Sequence, residues 1–151
     1  MHGRILPSSD RPYDEVSDTI RAIIIRIRTT APGASIVVVS YPPILPPQGG
    51  CPALGIGADH ADLSREVARR LALATQRAAR EEGVILVDMA AEGIGHDACS
   101  TVPWVNGARP DRGAAFHPNA AGARATADRI MAAFGPLPDP PPTLSSSSAR
   151  H

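Results

Sequence analysis

Ser35-Ile36-Val37-Val38-Val39-Ser40 is a continuous β-branched run with no charged residue inside it. A run this short and this apolar, without alternation, is the signature of a strand buried on both faces of a parallel sheet. A second run of the same kind, Val84-Ile85-Leu86-Val87-Asp88, follows 49 positions later and ends in an acid. Between and around them the period changes from continuous to helical. From about Tyr13 to Thr29, Val16, Ile20, Ile23, Ile24 and Ile27 fall on one stripe, with acids at the front and arginines at the back. From Asp59 or Asp62 to Glu82, Leu63, Val67, Leu71, Ala74 and Ala78 form the core stripe, and Arg65, Arg69, Arg77 and Arg80 a solvated face. Gly83 suits the position just past that helix. Ala120, Ala123, Ala127, Ile130 and Phe134 give a third helix ending at Phe134-Gly135.

Helices alternating with buried strands specify an α/β protein with a parallel sheet covered on both faces. Two strands are few for such a sheet, so the spacing predicts an architecture only partly contained in this chain. Residues 1–12 read as an irregular N-terminal segment, 13–135 as the folded part, and the Pro- and Ser-rich stretch 136–151 as a disordered tail that buries too little to offset its ordering cost.

Composition narrows function by exclusion. The 151 residues carry 15 basic and 15 acidic side chains. That balance gives no electrostatic reason for nucleic acid as a partner. No apolar run reaches the roughly 18 residues of a transmembrane segment. Met1 to Pro7 has no apolar core of a signal peptide, so the chain as written is expected to be cytoplasmic. Asp59-His60 and His96-Asp97 are adjacent pairs without zinc-ligand spacing, so neither a metal nor a cofactor is expected.

The chemistry concentrates in the loops that leave the carboxyl ends of the strands, the edge where ligands bind in open α/β sheets. Ala115-Phe116-His117-Pro118-Asn119-Ala120-Ala121-Gly122 puts a histidine where a loop turns into the third helix, with Pro118 read as its first helical residue. Ser40 and Ser100 lie in the same region, but neither has a sharp-turn motif such as Gly-x-Ser-x-Gly. Trp104 either lines a pocket or covers the loops. Cys51 and Cys99 sit in the two long loops, as a bridge or as two free thiols.

Three blocks occur in order: Tyr41-Pro42-Pro43 through Cys51-Pro52; Gly95-His96-Asp97-Ala98-Cys99 with Pro103-Trp104-Val105-Asn106-Gly107; and Phe116-His117-Pro118-Asn119-Ala120-Ala121-Gly122. Together they resemble the C-terminal half of the secreted SGNH hydrolases, the GDSL lipase/esterase family. The resemblance covers about residues 13–135. It implies a three-layer, flavodoxin-like parallel sheet, an extracellular setting for the parent family, and a Cys51–Cys99 disulfide. It implies a carboxylic ester hydrolase acting on a lipid or small acyl ester, with His117 as general base. Many members carry an acid three residues before the histidine; here that position is Ala114, whose main-chain carbonyl is the expected orienting acceptor. The family's nucleophile lies in a Gly-Asp-Ser block, and its oxyanion hole draws on a Gly-x-Asn-Asp block. Neither occurs in this sequence. The expectation is therefore a chain inactive alone. The alternatives are a binding module that needs a partner chain, or an esterase of the carbohydrate-deacetylase type.

Overall fold

The computed structural model describes residues 9–135. The expected tail at 136–151, and residues 1–8 of the expected N-terminal segment, lie outside the described residues. The elements are α1 (Arg11–Thr30), β1 (Val37–Val39), α2 (Ala58–Glu81), β2 (Ile85–Val87), α3 (Met89–Glu92) and α4 (Ala120–Phe134), with a 3-10 turn at Pro52–Leu54. The first helix starts two residues before Tyr13 because Pro12 sits in its first turn, where no N–H is needed. Both strands are shorter than their apolar runs.

β1 and β2 pair in parallel, with Val37 opposite Ile85, Val38 opposite Leu86 and Val39 opposite Val87. The 24-residue α2 makes the crossover between them. It ends as its sequence implies: Gly83 takes φ +60°, and its N–H reaches the Arg80 carbonyl. Among the described residues the sheet has these two strands alone.

α1 and α2 pack side by side. Ala74, Ala78 and Ala79 are buried, and their small side chains let the helices approach. Opposite them Ile24 is buried on α1, but Ile23 on the same predicted stripe remains 54% exposed. The seam is also polar. Arg77, expected on the solvated face, instead crosses to Asp14 at 2.7 Å and to the buried Ser17 hydroxyl at 3.1 Å. Arg65 likewise turns inward and donates to the Pro46 and Gly49 carbonyls. A long guanidinium satisfies loop carbonyls and acids that an apolar stripe cannot, so spacing alone misassigns it.

The second packing centre lies under the loops. Leu54, Ala98 and Val105 are buried together, with Leu45, Cys51 and Cys99 against them. Cys51 and Cys99 form a disulfide with Cα atoms 5.7 Å apart.

Candidate active site

The site is assembled by loops anchored to the strand ends. Asn119 begins α4: its side-chain oxygen accepts from the Ala121 and Gly122 N–H groups at 2.9 and 3.0 Å. Its amide donates to the Pro103 carbonyl at 2.7 Å, and its backbone N–H to Trp104 O at 2.9 Å. One side chain thus starts the helix and fastens it to the preceding loop. Gly122 completes the fit. A Cβ there would land on the Trp104 carbonyl, so only glycine lets the first turn approach this closely. Pro118 is not the first helical residue. It lies before the cap, in an antiparallel bridge with Val105, because Asn119 takes the capping role.

His117 is exposed, directly before that bridge, and its carbonyl accepts from Asn106 N–H at 2.9 Å. Its Nδ1 lies 2.8 Å from the Ala115 carbonyl. The orienting acceptor is therefore Ala115 and not Ala114. The reason is the turn: Phe116 adopts φ +60°, which folds the chain so that the carbonyl two residues back faces the ring. The Ala114 carbonyl is instead occupied by Asn106 Nδ2 at 3.0 Å and the His117 backbone N–H at 3.4 Å. A carbonyl can only accept, so Nδ1 is the donor in this contact, and no hydrogen bond to Nε2 is made among the described residues.

The two serines weighed as nucleophiles are committed elsewhere. Ser40, 3% exposed, donates to Asp88 Oδ1 at 2.7 Å and accepts from Ala90 N–H at 3.0 Å. Gln76 holds the other Asp88 oxygen, so this network ties both strand ends to α2. Ser100 donates to the Asp97 carbonyl. Asp97 accepts from Cys99 N–H, which fixes the turn at the disulfide. His96 stacks flat on Trp104, with ring centroids 4.0 Å apart, and its Nδ1 lies 2.8 Å from Val102 O. Trp104 therefore covers the loop. Among the described residues no three His, Cys, Asp or Glu side chains converge as a metal site would need.

Beside the strand ends lies an open, largely apolar groove of about 1100 Å³. Tyr41, Pro42, Leu45, Leu71, Ile94 and Phe116 are among its walls. Sequence reasoning missed two of the residues that shape the site. Asn106 carries no signal beyond its place in a loop motif, and a left-handed phenylalanine carries none at all.

The chain belongs to the GDSL-like lipase/acylhydrolase family, whose model matches residues 6–125. Solved structures that are similar include two from Streptomyces. Phospholipase A1 from Streptomyces albidoflavus NA297 is 24% identical, with a TM-score of 0.65 over 78% of this chain and 49% of that one. An extracellular lipase from Streptomyces rimosus is 22% identical, with a TM-score of 0.65 over 80% of this chain and 54% of that one. Among curated proteins, none matches this chain. The chain thus carries the SGNH fold in part and spans about half the length of the structures it resembles.

Proposed function

We propose that residues 13–135 carry the general-base half of a serine ester hydrolase, with His117 as the base. The observation that supports it best is the His117 ring itself, anchored through Nδ1 to Ala115 O and open at Nε2. In this reading Nε2 takes the proton of a serine hydroxyl as its oxygen bonds to the acyl carbon, then returns that proton to the departing alcohol. Water repeats the sequence and frees the acid. A neutral imidazole serves both transfers near pH 7. The substrate is an ester with an apolar acyl chain, for which the groove beside Phe116 is the matching surface. The Cys51–Cys99 bridge fits an oxidising, extracellular setting.

No Gly-Asp-Ser block accompanies His117 in the 151 residues, so the nucleophile in this reading comes from polypeptide other than these residues. Exposed apolar side chains favour this: Val39 and Ile85 on the two strands, and Ile23 on α1, stay more than a third exposed. A front half supplying further strands would cover such surface.

The test is hydrolysis of short-chain p-nitrophenyl esters. The chain alone is expected to show none above background. Mixed or fused with the front half of the Streptomyces rimosus lipase it is expected to hydrolyse them, and His117→Ala is expected to remove at least about 10⁴-fold of that rate. Turnover by the isolated chain that depends on His117 would overturn the reading of a missing nucleophile. A competent hybrid indifferent to His117→Ala would overturn the base.

A further inference from the structure

Phe116 holds the ring of His117 in place at a cost. It is the one side-chain-bearing residue with positive φ among the described residues, and such a conformation persists only where its surroundings over-determine it. The bonds that do so come from two directions. Loop 106–107 supplies one set: Asn106 Nδ2 to Arg112 O and Ala114 O, Asn106 N–H to His117 O, and Phe116 N–H to Gly107 O. That loop is itself tied to the disulfide region by Ala108 N–H to Ala53 O, so this set holds the turn from the loop side. The remaining bond comes from the sheet. Tyr41, two residues past β1, donates its hydroxyl to the Phe116 carbonyl at 3.0 Å, across 75 positions of sequence. Next to it, Ser40 is fixed to Asp88 and Ala90 N–H, so the segment bearing Tyr41 is itself anchored.

We propose that Tyr41 is a positioning residue for His117: its hydroxyl ties the left-handed turn at Phe116 to the carboxyl end of β1 and so keeps Nδ1 on Ala115 O and Nε2 outward. This rests on His117 being the base. Two further features agree with it. The Tyr41 ring lines the same groove as Phe116, so the phenol reaches the carbonyl along a wall of the site. Tyr41 is half-exposed, and partial desolvation of its phenol raises its pKa above the ordinary tyrosine value, so the hydroxyl is a donor throughout the neutral range.

The experiment is Tyr41→Phe in the full chain, read by two-bond proton–nitrogen spectra of the neutral imidazoles, with His117 assigned from His117→Ala. Wild-type His117 is expected as the Nδ1–H form. In Tyr41→Phe the Nδ1–H to Nε2–H ratio at His117 is expected to fall about fivefold, the equivalent of one neutral hydrogen bond. His96, whose Nδ1 is held by Val102 O earlier in the same α3–α4 connection, serves as the internal control and is expected to stay unchanged. An unchanged ratio at His117 overturns the proposal. So does loss of the Nδ1–H form at both histidines, because the hydroxyl then supports the whole fold and not this turn. The spectra need no substrate. A hybrid that fails to hydrolyse esters therefore leaves them readable, and a working hybrid with an unmoved ratio sinks the positioning role alone.

Discussion

At residue scale the site depends on two positions where a side chain's absence or strain matters more than its chemistry. Gly122 is absent a side chain so that α4 can meet the Trp104 carbonyl. Gly122→Ala has to push backbone against backbone, and overpacking of this kind costs about 1–3 kcal/mol. Urea denaturation is expected to show that loss, and His117 is expected to lose its Ala115 bond with it, since Asn119, two residues on, anchors to the same Trp104 carbonyl that Gly122 meets. A stability equal to wild type would mean that the first turn of α4 slides at no cost. The histidine and its glycine were legible in the sequence as a motif at a helix start. The orienting carbonyl was not. Choosing between Ala114 and Ala115 requires knowing that Phe116 is left-handed, and a phenylalanine gives no local reason to adopt that shape.

At element scale the three long helices are legible in the sequence, the short α3 is not, and the strands are legible only in part, for one physical reason. A helix satisfies its own backbone, so its apolar period and its breakers mark it locally, as Pro12 and Gly83 do here. A strand is defined by partners, and Ile36 and Val84 fall outside the ladder although their runs include them. The arginines of α2 divide on the same principle. Arg69 and Arg70 both bond Glu66, at 2.8 and 2.6 Å, a pairing visible at three- and four-residue spacing. Arg77 reaches a different helix, which spacing does not reveal. Glu66 yields a signed prediction. The hydrogen bond from Arg69, then that from Arg70, lowers its pKa from 4.5 to about 2. A carboxylate with a depressed folded value contributes stability above its unfolded pKa and loses it as pH falls through about 2. Glu66→Gln is therefore expected to melt below wild type at pH 6 and together with it at pH 1.5 to 2. The gap is small because the pair is solvent-exposed. A difference that persists undiminished at the acid end would assign the effect to packing and not to charge.

At the scale of the whole molecule two centres hold the chain, the α1–α2 seam and the loop cluster around the disulfide, and they are joined by a sheet of two short strands. That division accords with a parallel α/β fold carried in part: the described residues form a sheet of two strands, and Ile23, Val39 and Leu71 stay more than a third exposed. The loop centre lacks helical or strand regularity, so its stability has to come from the covalent link and from backbone bonds between loops. Ala108 N–H to Ala53 O is one of these, two residues from Cys51, and Gly107 passes the constraint to Phe116 N–H. Cys51 and Cys99 are 48 positions apart, and closing a loop of that length stabilises a fold by ~4 kcal/mol in the chain-entropy view. The bridge is therefore expected to contribute more than any single contact of the site. Reduction, or the Cys51→Ser/Cys99→Ser double substitution, is expected to lower the unfolding free energy obtained from urea denaturation by an amount approaching that value. Because the bridge feeds the Ala53–Gly107–Phe116 path, the loss should reach His117 before it reaches the helices. Hydrogen exchange under reducing conditions separates these regions: Asn106, Phe116 and Asn119 amides are expected to lose protection at denaturant concentrations where the α1–α2 amides keep theirs. Simultaneous exchange of both sets would mean that the two centres unfold as one unit, with the short sheet transmitting the loss.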